Sequence, residues 1–442
     1  MVGMGSRSRQ QRDARRRATA RSTRVTPRQE SGDAVEGGLA PSDVIELIDL
    51  AARYAVDAPG SIGPHVQLLN ELAATATAPD VDPAALVVDE VLARVTTAFE
   101  HGWQPLDLVH ATGRQTSRQG AAWLAHAVQV EAERSQALTR APQAWADQLR
   151  TLSHRHRHRG GVEGLLPPGG AVTADAWIAA LVVLDLLHRL PRIEQLVTPP
   201  SRWGTQSPQR PRSPRAGSAP SDADRAKTLV KIRALLAKAE STEFAAEAEA
   251  FTAKAQDLMT RHSIDEALLA DGTGESFDVR GRRVLIDQPY ALEKATLLHV
   301  VAEANRVRAI WNSFASSVTL VGVPTDVDQT DMLFTSTLVQ ATRAMTQAHL
   351  SSAPFRRAFL HAFAVRIGER LTASTDEAVA SYGSALVPVL ERQEAAIAEE
   401  YDRLFPHVTT GSRRQRQLDA RGWDAGTRAA DAAVLPAGRL DA

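Results

Sequence analysis

Residues 231–264 read KIRALLAKAESTEFAAEAEAFTAKAQDLMTRHSI, and the spacing of their apolar side chains decides the first element of the fold. Leu229, Ile232, Leu235, Leu236 and Ala239 fall on one side of a helix that starts a little upstream. Phe244, Ala248, Phe251, Ala255, Leu258 and Met259 recur at intervals of three and four on a second helix. Between them lie Glu240, Ser241 and Thr242. A Ser or Thr hydroxyl there accepts from the free N–H groups of the next turn. The stretch therefore predicts two helices folded back on each other. Lys227, Lys231 and Lys238 stand at offsets of four and seven and form a narrow stripe well round from the apolar side. Such a stripe either follows a phosphate backbone or is an ordinary solvated face. Ser263, with Glu266 three residues on, reads as a capping box for a last short helix.

Outward from this hairpin, the chain of 442 residues has room for two or three domains. Aromatic residues make up 5% of it, and alanine is abundant, which favours helices packed through small side chains over an all-β fold. The net charge of −1 conceals an uneven distribution: residues 6–28 hold nine arginines and one acid, Asp13. With no cysteine, disulfides, thiolate nucleophiles and cysteine metal sites are excluded. An intracellular, cytoplasmic location fits that absence. The longest apolar run, at 177–187, is broken by Asp185 and is far short of the roughly 20 residues a membrane span needs. No apolar stretch follows the arginine-rich start, which therefore does not read as an export signal.

The expected organisation starts with a basic arm, 1–38, too polar to offset its own ordering entropy. A helical region follows at 41–190. Ser42 precedes the periodic Val44, Leu47, Ile48, Ala51 and Ala55; Asp82-Pro83 opens a second helix; Gly102-Trp103-Gln104-Pro105 breaks it; and helical pattern resumes to Leu149 with a break at Pro142. His154, His156 and His158 alternate with arginines. The interleaved cations favour a basic loop over a metal site. A short helix at 174–190 leads to a Pro/Arg/Ser linker at 191–220.

After the hairpin, at 221–270, the period changes. A strand around 277–286, a helix at 289–303, two strands joined by 312–317 and two long helices predict a small α+β domain at 275–402. Thr325 is placed to cap the first long helix, and the second, from Phe355, is expected to run on toward Tyr401. On it, Arg356, Arg366 and Arg370 fall inside or at the edge of the arc marked by Phe359, Leu360, Phe363, Ile367 and Leu371. Arginine on a packed face needs a carboxylate, a carbonyl or an anionic ligand. From 403 to 442 regular structure fades, although Gly422, Gly426 and Ala430, four apart, permit a closely packed short helix. The fold class is mainly α with a small α+β C-terminal domain.

The hairpin resembles the family catalogued as domain of unknown function 2786. The likeness rests on Lys231-Ile232, Leu235-Leu236, Ala239-Glu240-Ser241-Thr242, Phe244, Glu247-Ala248, Ala255-Gln256 and Leu258-Met259. Residues 277–371 are similar to the uncharacterised α+β domain that commonly follows it, through 318–322, 356–363 and Arg370-Leu371. The helical region with Gly102-Trp103-Gln104-Pro105 is similar to extensions in actinobacterial members. The resemblance implies an architecture and assigns no activity, cofactor or catalytic residue.

Three functional expectations follow. The first is association with DNA or RNA through phosphates, with Lys227, Lys231, Lys238, Arg356, Arg366 and Arg370 as candidate anion-binding residues and no cofactor or membrane partner. The second is a protein-interaction or scaffold module without catalysis. The third is a metal-dependent hydrolase, although His299, His349 and His361 are scattered and no His-Glu-x-x-His occurs. Serine or lysine nucleophile arrangements, glycine-rich phosphate loops and zinc-finger spacings are absent, so the balance leans away from an enzyme.

Overall fold

A proline placed just inside a helix costs no hydrogen bond, and this chain uses that device repeatedly to start its helices. In a computed structural model, residues 40–156, 160–167, 172–204, 222–241, 276–347, 352–382, 386–407, 419–433 and 435 are described, with parts of 251–268. The basic arm 1–38, most of the linker and residues 242–250 of the hairpin, with Phe244 and Ala248, lie outside the described residues. From Pro41 onward the chain is one compact unit.

Helix α1 (Pro41–Asp57) buries Val44, Ile48, Ala51, Ala52 and Ala55, the periodic set read from the sequence. Ser42 lies inside its first turn. Helix α2 (Gly63–Thr75) leads to α3 (Pro83–Glu100), whose cap Asp82 accepts a 2.9 Å bond from the Ala84 amide. Gly102 turns the chain at φ +94°, a value that favours glycine, and α4 (Pro105–Gln115) begins at the next proline. Helices α5 (Arg118–Arg134), α6 (Ala137–Arg140) and α7 (Gln143–Arg155) follow, the last beginning just after Pro142. Helix α8 (Ala174–His188) carries an almost unbroken apolar surface and is buried among the others. Their shared core holds Trp103, Trp145 and Trp177, each at most 1% exposed. Within the stretch read as linker, Trp203 is also buried, edge-on to Trp145 at 5.3 Å, and Pro191 accepts the Trp103 indole N–H at 2.8 Å.

Helix α9 (Asp222–Ser241) inserts Ile232 and Leu236 against Ala255 and Met259, with Leu235, Leu258 and Met332 around them. The described part of the hairpin thus keeps the apolar contacts its period predicts. Strands β1 (Arg280–Leu285), β2 (Arg308–Asn312) and β3 (Ser317–Gly322) form an antiparallel sheet in the order β1-β3-β2, with α10 (Ala291–Ala304) between β1 and β2. Thr319 lies opposite both Arg283 and Ile310. Every residue of β3 is buried, because both faces of the sheet are covered. Val318 and Leu320 pack with Leu297, Leu298 and Val301 of α10 on one face. On the other, Thr319 and Arg283 meet the helical half of the molecule.

Helix α11 (Pro324–Gln347) starts one residue before Thr325, whose buried hydroxyl has no hydrogen-bond partner among the described residues, so it does not cap the helix. Helix α12 (Ala353–Tyr382) stops well short of Tyr401. A separate α13 (Val387–Leu404) begins there with Pro388 in its first turn, where a proline cannot continue an incoming helix. Within 403–442, Ala420–Ala432 forms α14, which lies on α12. Gly422 and Gly426 let the two backbones meet: a Cβ at either position would overlap the carbonyl oxygen of Phe355 or Phe359. Mainly α with a small antiparallel sheet toward the C-terminal side is therefore the architecture of the described residues.

Candidate nucleic-acid interface and polar centres

The side of α9 opposite Ile232 and Leu236 carries Lys227, Lys231 and Lys238, all exposed. Between 225 and 238 the chain holds Arg225, Lys227, Lys231, Arg233 and Lys238 and no acid. The Lys238 ammonium sits 5.5 Å from the centre of the Phe251 ring, a cation–π contact that joins the two strokes of the hairpin while leaving the lysine in water.

The arginines of α12 go elsewhere. Arg366 donates to Asp431 at 2.5 Å and to Glu369 at 2.9 Å, and these two carboxylates push its already high pKa further up. Arg370 donates to the carbonyls of Ala430, Asp431 and Ala433 at the C-terminal end of α14, where helix carbonyls lack the full set of intrahelical partners. Both side chains thus tie α14 down. Partial burial holds Arg370 below the usual arginine range, against the pull of Asp431. Arg356, half-buried near the start of α12, forms no ion pair among the described residues. The structure therefore does not bring the six candidate residues into one surface: α9 carries three, and α14 occupies two.

Two buried polar centres were not legible as sites. In the first, Arg283 of β1 is 1% exposed and lies between Asp107 of α4 and Glu194, themselves 5% and 7% exposed. It donates to Asp107, to the Glu194 carboxylate at 2.8 and 3.2 Å and to the Glu194 carbonyl at 3.2 Å, while Thr319 donates to the same carboxylate at 2.5 Å. One guanidinium serves two acids. Burial pushes the Asp107 carboxyl up, and the nearby Glu194 adds to this against the attraction of Arg283. This centre fastens the sheet to the helical half, and a cavity of about 380 Å³ with Asp107 and Arg283 in its lining adjoins it.

In the second, Asp326, near the start of α11 and 2% exposed, accepts from Ser263 at 2.6 Å and Gln393 of α13 at 2.9 Å. Arg306 donates to the Ser263 hydroxyl at 2.6 Å and lies 3.5 Å from Asp326. Burial pushes the Asp326 carboxyl up despite Arg306. Ser263 sits within a helical stretch and commits its hydroxyl to this network, so the capping box read from the sequence is not what it makes. The network anchors the hairpin to α11 and α13, and Gln329 adds a 3.0 Å bond to the Met259 carbonyl.

Among the described residues no group of three or more His, Asp or Glu side chains is placed to hold a metal ion. His126 is spoken for by the Gly160 carbonyl at 2.8 Å, and of the His/Arg tract the described members are His154, Arg155 and His156. No described helix is long and apolar enough to cross a membrane.

Residues 227–266 match the model of a family described as a protein of unknown function, DUF2786. The match covers α9 from Lys227 onward together with Ala255 and Met259, and so includes the lysine stripe. No curated protein and no solved structure matches the chain.

Proposed function

We propose that the protein associates with nucleic acid through the phosphate backbone and that α9 is the contact element of the folded unit. One observation carries this reading: the helix hides Ile232 and Leu236 and turns Lys227, Lys231, Arg233 and Lys238 outward, in a stretch with no acid between 225 and 238. Lysines on such a helix act as point charges that neutralise phosphates, and each neutralised phosphate releases condensed counterions. The contact is therefore independent of base sequence, since nothing in the stripe reads base edges. Arg366 and Arg370 are left out of this surface, because their donors are committed to α14.

The test is fluorescence anisotropy of labelled duplex DNA and single-stranded RNA across a salt series. The expected result is an affinity that falls steeply with salt. Lys231→Glu with Lys238→Glu flattens the log–log slope by about 0.9 per lost contact on a duplex. Absence of binding by the full chain at low salt sinks the proposal. Loss of all binding on removing residues 1–39, with the lysines intact, would assign the affinity to the arm and take α9 out of it.

A further inference from the structure

Among the described residues, strand β2 pairs with β3 on one side and with no strand on the other. The sheet order is β1-β3-β2, and among the described residues β2 is bonded by β3 alone. A cavity of about 610 Å³ adjoins its first residues, bounded by His299 and Glu303 of α10, Arg306–Ala309 and Glu394, Ile397 and Tyr401 of α13. Its position follows from the register. Arg308 pairs with Val321 and therefore lies on the sheet face that carries Thr319 and Arg283; Ala309 pairs with Leu320 and lies on the face covered by α10. Tyr401 of α13 stacks on Arg308, on the first of these faces. A cavity lined by both faces of one strand, with a helix on each side, lies at that strand's open edge.

We infer that this edge is a docking site for an extended peptide segment with lysine or arginine side chains, added to the sheet as a fourth strand. An unpaired strand edge offers a row of backbone donors and acceptors to an incoming chain, and side chains lining the groove set the preference. Buried Val307 and Ile397 supply the apolar floor. The charges decide the partner. Arg306 is turned inward to Ser263 and Asp326, and Arg308 lies over the Tyr401 ring, its carbon 5.5 Å from the ring centre. Glu303 and Glu394, one on each flanking helix, are exposed and have no ion pair among the described residues. The cations of the groove are engaged and its carboxylates are open, which selects a basic strand over an acidic one. This site is separate from α9 and does not depend on nucleic-acid binding.

The experiment uses the full chain and two blocked probes, acetyl-Lys-Val-Lys-Val-Lys-Val-amide and the same peptide with glutamate in place of lysine. Hydrogen exchange of residues 307–312 is followed by mass spectrometry, and affinity by anisotropy of the labelled peptides. The lysine peptide is expected to bind, to slow exchange in 307–312, and to lose about tenfold in affinity with Glu303→Gln and Glu394→Gln together, a loss of about 1.4 kcal/mol. Both glutamates are exposed, so the variant keeps its fold. No binding, binding that leaves 307–312 unprotected, or equal binding of the glutamate peptide overturns the proposal. Protection of 307–312 that grows with protein concentration in the absence of peptide would place a second copy at the edge and overturn it as well.

Discussion

Replacing Arg283 with methionine tests whether the sheet and the helical half are held together by one buried cation. Methionine fills much of the guanidinium's volume and carries no charge, so the main loss is electrostatic. Four hydrogen bonds disappear, and two carboxylates that are 5% and 7% exposed are left without their cation. Breaking a buried ion pair from one side costs about 3–5 kcal/mol, a large part of the 5–15 kcal/mol that keeps a typical domain folded. The assay is urea denaturation followed by tryptophan fluorescence at several pH values. The sign with pH follows from Asp107, whose folded pKa lies above its ordinary value because of burial. A raised carboxyl contributes stability below its unfolded pKa and loses that contribution as pH rises through the folded value. Removing Arg283 enlarges the effect, so the deficit of Arg283→Met is largest near neutral pH and shrinks on acidification. Adding Asp107→Leu and Glu194→Met to Arg283→Met removes the stranded charges and is expected to recover most of the loss. A deficit below about 1 kcal/mol for the single variant, or one of equal size in acid and at neutral pH, would refute the reasoning.

Glu131, 5% exposed in α5, has its carboxyl pushed up to about 6 by burial, against the smaller opposing effect of the nearby Ser135 and Thr96 hydroxyls. Its contribution to stability is present below the unfolded pKa and is lost as pH rises through about 6. Glu131→Gln is therefore expected to remove roughly 2 kcal/mol of pH-dependent loss, read as denaturation midpoints at pH 5 and pH 8; unchanged pH dependence would count against it. Gly426→Ala should destabilise the protein by about 1–3 kcal/mol, since a Cβ there meets backbone, which outweighs the usual helix gain of up to 1 kcal/mol. A stabilised Gly426→Ala variant would show that α14 does not lie against α12 as described.

Local pattern carried far in this chain. The three-and-four spacing on α1 and α9, the Asp82-Pro83 start of α3, the Gly102 turn and the strand-like runs at β2 and β3 were each legible because they are set by residues within a few positions of one another. The close packing of Gly422, Gly426 and Ala430 was legible as spacing, but not which helix they meet. The misread features share a cause. Ser263 and Thr325 have the residue type for a helix cap, and only distant partners decide how a hydroxyl is used: Ser263 reaches Asp326, 63 positions on. The arginine arc on α12 was visible as an anomaly, yet its partners are the acid and carbonyls at the end of α14, some 60 positions away.

By itself the sequence determined the helical hairpin, the outward lysines of Lys227, Lys231 and Lys238, and a small sheet set among helices. Those follow from side-chain period, and period is a property of the local backbone. Only the tertiary structure decided which charges are free and which are consumed. Arg366 and Arg370 hold α14, Arg283 joins two acids across 176 and 89 positions, and Glu303 and Glu394 come to flank one open strand edge. A charge's availability depends on what the fold brings within a few ångströms of it, and no spacing along the chain contains that distance.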